Sequence, residues 1–353
     1  MRAATLNAPE DLRLVEKEKP TPGKNEVLLK IEANTMCGTD YRLYTGAKTS
    51  GVSYGTVPGH EIAGRIVEIG EGVEQIQPGL QIGQQATVSI VVSCGACPNC
   101  LQNREHLCSN LELFGYAIDG GLQEYLLVPE RALRRGNLIT TNKELAPKAL
   151  CLAEPISCCL NGLEQFKVNL GEVVAVLGAG PIGLIHAQLA LASGARQVFV
   201  SNRSPQRRQV VDRLGAIGVS PEELEDRVKE VSNGAGADVV IVCIGASELA
   251  QDALELARDG GRVNYFAGFP KGSMTQMEPN LIHYKELQVT EGSNARRRDV
   301  KRAIQVLQAG GYKCGGNRDP HLPTIKSARR LSGSTRSHRC KNCGNTRLKS
   351  NSG

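Results

Sequence analysis

The densest group of potential ligands in the chain is "CGACPNCLQNREHLC", which sets Cys94, Cys97, Cys100 and Cys108 at C-x2-C-x2-C-x7-C. Four thiolates this close in sequence can enclose one zinc ion tetrahedrally and leave no open position, which predicts a structural metal site. His106 falls inside this lobe, but four thiolates already fill the shell, so it reads as a solvated side chain. A second set is dispersed: Cys37 in "MCGTD", His60 and Glu61 in "PGHE", and Glu154 in "LAEPI". Each alone is an ordinary structural residue. Together, three ligands drawn from separate segments leave a fourth position for water or substrate, as a catalytic zinc requires.

A third group implies a nucleotide. In "GAGPIG", Gly178, Gly180 and Gly183 are spaced G-x-G-x-x-G, with Pro181 and Ile182 inside the turn. The first glycine makes a tight turn and the second lets the backbone approach a pyrophosphate. The third allows close helix–strand packing, and the helix N-terminus supplies N–H donors and positive dipole. At the end of the next strand an acidic residue would usually hold the ribose hydroxyls of NAD. Here stand Ser201, Asn202 and Arg203, with Arg207 and Arg208 behind them. Loss of the carboxylate and gain of guanidinium groups favour NADP over NAD; the plainer reading is that the arginines decorate the next helix's first turn.

Elements must position these groups. Residues 1 to about 155 are rich in short runs such as "EVLLKIEA" (26–33) and "AGRIVEIG" (63–70), punctuated by turn residues, which predicts a β-rich domain. From 171 the pattern changes. "EVVAVLG" (172–178) predicts a strand buried on both faces, "PIGLIHAQLALASGA" (181–195) a helix and "QVFVSN" (197–202) a second strand. "DVVIVCIG" (238–245) and "GRVNYFAG" (261–268) repeat the strand pattern around a helical 247–260, and 298–310 has helical spacing. This alternation predicts a doubly wound parallel sheet, an α/β fold.

Composition bounds the function. The 353 residues suffice for two domains, no run approaches the roughly 20 apolar residues of a membrane span, and "MRAATLNAPEDLRL" lacks a signal-peptide core. The chain reads as soluble and cytoplasmic, its cysteines as ligands or reduced thiols rather than disulfides. The net charge of +6 is concentrated in 311–353, which carries ten Lys and Arg against Asp319; the remainder is −3. The body therefore gives no sign of a nucleic-acid partner.

Taken in order, Cys37 in C-G-T-D, G-H-E at 59–61, the four-cysteine lobe, E-P at 154–155 and the glycine fingerprint resemble a zinc-dependent medium-chain dehydrogenase/reductase of the alcohol dehydrogenase superfamily. The resemblance runs from residue 1 to about 310. It implies a GroES-like β-barrel catalytic domain over 1–155 with the zinc lobe at 93–109, then a Rossmann domain over 156–295. A return to the catalytic domain would begin at 296–310. Glu154, where classical members have cysteine, is similar to the polyol (sorbitol-like) branch. By that resemblance Cys37 and His60 bind zinc, with Glu154 as third ligand or holding it through a water, and Glu61 as alternative ligand or supporting partner. Two zinc ions per subunit and an NAD(P) cofactor follow. The zinc lowers the pKa of a substrate hydroxyl, and hydride passes to the nicotinamide. Thr39 matches the residue that receives the alcohol's proton; the histidine that in many members passes it on is replaced by Arg42. Tyr44, Phe114 and 292–295 are implied pocket residues. The implied partner is a small alcohol or polyol, acted on by a homo-oligomer, a dimer or tetramer. The same residues suit a carbonyl reductase or a threonine-type dehydrogenase.

Other residues read as structural: Cys151, Cys158, Cys159 and Cys243 lie in apolar runs, and His186 and His283 lack ligand spacing. The rival from another class is a zinc-ribbon nucleic-acid binder, suggested by the basic tail with His338, Cys340 and Cys343, joined by Cys314. In the resembled family this region should form a strand, a T-H-x-F-P-L turn, a helix and a closing strand. Residues 312–331 lack that pattern, yet codons for them can be chosen whose +1 frame reads "INVEEIVTHTFPLSRAREAF". The expectation is a +1 frameshift near Gly311, aberrant residues over 311–353, and a catalytic domain short of its returning elements. The gene's nucleotides decide it.

Overall fold

The computed structural model describes residues 1–270 and 272–312. The expectations placed on the tail beyond, a zinc knuckle at Cys314, Cys340 and Cys343 and the out-of-frame reading, lie outside the described residues.

The N-terminal half is built of short antiparallel strands. β1 (Arg2–Ala8) and β2 (Asp11–Glu16) form a hairpin. β3 (Val27–Thr35), β4 (Glu61–Ile69), β5 (Gln85–Val88), β8 (Tyr125–Val128) and β9 (Leu138–Thr140) form a five-stranded sheet in the order β8-β3-β4-β5-β9. β6 (Val91–Val92) and β7 (Glu112–Leu113) pair at the root of the cysteine lobe. Val27, Leu29, Ile62, Ile66, Val88, Leu126 and Val128 meet in one apolar core. Burial of these β-branched and leucine side chains, each of which contributes about 1.5–3 kcal/mol, fixes the register. That register pairs Thr35 with Glu61. Cys37, just beyond β3, and His60, just before β4, therefore emerge from adjacent strand ends.

The C-terminal half is a parallel sheet of β10 (Val173–Leu177), β11 (Gln197–Ser201), β12 (Ile217–Val219), β13 (Ala237–Val242), β14 (Ala257–Tyr265) and β15 (Gln288–Glu291). Its order is β12-β11-β10-β13-β14-β15, so the chain reverses direction between β10 and β13 and opens a crevice at their carboxyl ends. β10 is buried throughout, as its unbroken apolar run predicts. The helix expected over 181–195 ends at Ala192, because Gly194 adopts φ 93°. The one expected over 247–260 spans Leu249–Leu256, and Ala257–Gly260 is drawn into β14, which was expected from Gly261.

The helix Ala153–Phe166 links the halves. Its start lies in a cluster with Ala63 of β4 and Ile139 of β9, and Phe166 at its end packs with Val174 and Val176 of β10. The final helix, Arg297–Gln308, packs on the same linking helix through Val300, Ala303, Ile304 and Leu307.

Candidate metal and nucleotide site

Cys37 caps the helix Gly38–Tyr44 at its N-terminus. Its backbone N–H donates to Asp40 Oδ2 at 2.7 Å, and Asp40 Oδ1 lies 3.1 Å from His60 Nδ1, with both side chains buried. One carboxylate thus joins the segment bearing Cys37 to the segment bearing His60 and leaves Nε2 as the imidazole nitrogen it does not engage. Burial alone would lower the His60 pKa; the Asp40 carboxylate and the Cys37 sulfur outweigh it, and the net direction is well upward. Sequence reasoning gave Asp40 no role. Its signal was its place three residues after a helix-capping residue, where an acid reaches back to the cap's N–H.

The ligand atoms of Cys37, His60 and Glu61 all lie within 4.8 Å of one another. Glu61 accepts a short hydrogen bond from Thr35 Oγ1, its cross-strand neighbour. Glu154, at the start of the linking helix, is buried nearby outside that compact set, and Cys158 Sγ approaches its Oε1 at 3.4 Å. Burial, and then the charge of Glu154, raise the Glu61 pKa to about 7; burial likewise raises that of Glu154. Two interior carboxylates that resist ionisation, beside a thiol and an imidazole, make a donor set that a divalent cation would satisfy. Thr39 Oγ1 lies 3.7 Å from Cys37 Sγ and accepts from Arg42 Nη2 at 3.0 Å. Tyr116 packs against the His60 ring at 5.5 Å between centroids, and burial pushes its hydroxyl up to about 12.

The four lobe cysteines also converge within 4.8 Å. Their sulfurs stand 3.5 Å (Cys97–Cys100), 3.8 Å (Cys97–Cys108) and 4.0 Å (Cys94–Cys100) apart. A tetrahedron with metal–sulfur bonds of about 2.3 Å has edges of about 3.8 Å, so the spacing fits one zinc. Backbone N–H groups aim at the sulfurs: Cys97 at Cys94, and Cys94 and Asn110 at Cys108. Backbone hydrogen bonds lower Cys97 to about 6, the thiolate form a metal needs, whereas burial lifts Cys108 to about 11. His106 is buried rather than solvated. Burial, and then Arg296, hold its pKa down, because the lobe docks against the final helix, where Glu105 accepts from the backbone and side chain of Arg297.

The glycine turn follows β10 directly. Gly178 has φ 114°, and Gly180 is the N-cap of the helix Pro181–Ala192, which continues through Ile182 and Gly183. A Cβ on Gly183 would lie 1.8 Å from Gly178 O, while one on Gly180 would meet nothing within 4 Å. The third glycine is thus required by packing and the second leaves an open approach. Asn202, beyond β11, is half-buried and its Oδ1 accepts from Ser204 N. Arg208 spends its guanidinium on the carbonyls of Asn202 and Arg203; Arg203 and Arg207 point to solvent.

Cys151 and Cys159 are core residues as expected, but Cys158 faces Glu154. Phe114 is wholly buried in the N-terminal core, while Tyr44 is half-buried against it. Asn161 Nδ2 donates to the carbonyls of Ser293 and Asn294. His283 lies on a short helix, Pro279–Tyr284.

Two family models match: the alcohol dehydrogenase GroES-like domain over residues 23–136 and the zinc-binding dehydrogenase domain over 181–309. The L-threonine 3-dehydrogenase of Thermococcus kodakarensis is 35% identical, over 78% of this chain and 77% of its own. The sorbitol dehydrogenase of Halalkalibacterium halodurans is 30% identical, over 83% of each. A zinc-binding-dehydrogenase-type protein of Sinorhizobium meliloti 1021, crystallised with NADP, superimposes with a TM-score of 0.81 at 32% identity, covering 89% of this chain and 90% of its own. Among the described residues no helix is long and apolar enough to cross a membrane.

Proposed function

Since the chain belongs to the zinc-type alcohol dehydrogenase superfamily, with a GroES-like N-terminal domain and a parallel-sheet Rossmann domain, and is an NAD(P)-dependent oxidoreductase acting on CH–OH donors, we propose that it oxidises a polyol or sugar alcohol at a secondary carbon. The observation that carries this reading is the convergence of half-buried Cys37 with buried His60 and Glu61, with Glu154 beside them. Residues 1–155 form the catalytic unit and 156–295 the cofactor unit, and 296–310 turn back toward the first. When bound, zinc supplies Lewis acidity that lowers the pKa of a substrate hydroxyl, and the nicotinamide supplies the hydride acceptor.

The chain's own residues do the rest. Cys37, His60 and a carboxylate, Glu61 or Glu154, hold the catalytic metal, and Asp40 fixes the imidazole's orientation. Cys94, Cys97, Cys100 and Cys108 hold a second, structural zinc. Thr39 takes the proton from the substrate hydroxyl. Arg42 cannot pass it on, because a guanidinium already carries its full complement of protons, so the onward path runs to water. Gly178, Gly180 and Gly183 seat the pyrophosphate; the exposed guanidinium groups of Arg203 and Arg207 favour NADP, with the Asn202 carboxamide beside them in place of an acid. The threonine-type alternative is supported by the Thermococcus relative, and the polyol reading by the Halalkalibacterium one.

One set of measurements tests this. Metal analysis of the purified chain should count two zinc ions, and turnover of a polyol panel should favour NADP. Cys37→Ala should abolish turnover and leave the lobe's zinc in place. A fully active Cys37→Ala enzyme would sink the mechanism, and a preference for NAD of about tenfold or more would sink the cofactor assignment.

A further inference from the structure

Arg42 is exposed on the helix Gly38–Tyr44, at the edge of the metal-ligand cluster. Its Nη2 is bonded to Thr39 Oγ1. Its Nη1 reaches toward the other half of the molecule, 4.0 Å from where a Cβ on Gly268 would sit. Gly268 lies in the turn after β14, at the carboxyl edge of the parallel sheet, the side on which such sheets receive ligands. The guanidinium therefore stands between the two halves of the candidate site. Among the described residues no carboxylate lies within ion-pair distance of it, and the adjacent Asp40 is committed to Cys37 and His60. One bond to Thr39 leaves most of a five-donor planar fork open, and that fork matches an oxyanion.

We propose that Arg42 is a specificity-determining residue that clamps an oxyanion in the cleft, the carboxylate of a polyhydroxy-acid substrate. The dinucleotide's phosphates offer the same chemistry, but Gly178–Gly183 and the helix behind them already present backbone donors for a pyrophosphate. The substrate carboxylate is the oxyanion left without a receptor. The inference rests on the dehydrogenase reading and narrows its substrate class from neutral polyols to their acids.

The test is calorimetric binding to the zinc-loaded full chain, wild type and Arg42→Gln. NADP+ is titrated first, then D-gluconate or sorbitol into the NADP+-loaded protein. Arg42→Gln should weaken gluconate about 10- to 100-fold and leave sorbitol and NADP+ within about twofold, and Arg42→Lys should recover part of the loss. If NADP+ binding falls by that factor and the gluconate-to-sorbitol ratio holds, the clamp grips the cofactor's phosphate instead. If no affinity changes, or if only turnover falls and falls equally on both substrates, Arg42 merely orients Thr39 and the proposal is overturned. A chain that binds all three ligands but turns over no alcohol would count against the dehydrogenase reading, and the clamp would still be judged by its heats.

Discussion

His186, on the first helix of the Rossmann domain, carries a titration that the rest of the fold must bear. Its ring is buried against Phe266, edge-on at 4.5 Å, and Phe166 at 6.1 Å, and among the described residues neither ring nitrogen has a hydrogen-bond partner. Burial pushes its pKa down to about 3. The unfolded chain binds this proton near pH 6.5 and the folded chain does not, so its penalty begins as pH falls through 6.5 and grows until about pH 3. From pH 7 to pH 5 the wild type should lose about 2 kcal/mol more than His186→Leu, read from urea unfolding at the two values. Equal losses would mean that the imidazole finds a partner or escapes burial. Such side chains mark the limit of residue-level reading. The grouping of Cys37, His60 and Glu61 and that of the lobe cysteines was legible because residue type and spacing are written in the sequence. Asp40's grip on His60, the burial of His106 and the approach of Cys158 to Glu154 were not, since each depends on which distant segment packs alongside.

At the scale of the element, the turn from β10 into its helix makes two glycines of one motif answer to different physics. Gly183→Ala drives a methyl against Gly178 O, backbone that cannot swing away, so it should cost about 1–3 kcal/mol of stability and take cofactor binding with it. Gly180→Ala meets nothing within 4 Å and keeps an ordinary extended backbone, φ −78°. It should melt like the wild type yet bind NADP+ about tenfold more weakly, because the methyl occupies the space a pyrophosphate would approach. Melting curves and cofactor titrations on the pair separate the two roles; a Gly180→Ala protein with full affinity would remove the pyrophosphate from this turn. The strands and helices around the motif were legible from periodicity, and the errors fell at boundaries. Gly194 ended one helix early, and Ala257–Gly260 passed from a helix to β14, where they form an irregularity between the β13 pairings of Ala257 and Arg262.

At the scale of the whole molecule, the two halves share an apolar cluster that neither owns. Ala63 and Ile139 come from the N-terminal sheet and Ile185 and Leu189 from the Rossmann helix; Ile156 and Leu160 lie on the linking helix, and Val300, Ile304 and Leu307 on the last described one. Around its rim Glu164 accepts from Arg296 at 2.5 Å and from Arg298 at 2.7 Å, and also pairs with Arg302, which clasps the final helix to the linking helix. The same linking helix carries Glu154 in its first turn, beside the candidate metal site, so that site and the seam share one helix. Sequence periodicity foretold the final helix but not that its apolar stripe closes a seam between halves, because a stripe does not name its partner. The halves should therefore unfold together. Ile304→Ala leaves a cavity at the seam and should cost about 2–5 kcal/mol. Two local probes report the halves separately: release of lobe zinc to a chromogenic chelator for the first, and fluorescence of bound NADPH for the second. Under urea both midpoints should fall by the same amount in Ile304→Ala, since loss of the shared cluster removes stability from each half at once. A zinc-release midpoint that drops while the NADPH midpoint stays at its wild-type value would show that the Rossmann domain stands on its own core and that the seam only docks the catalytic half against it.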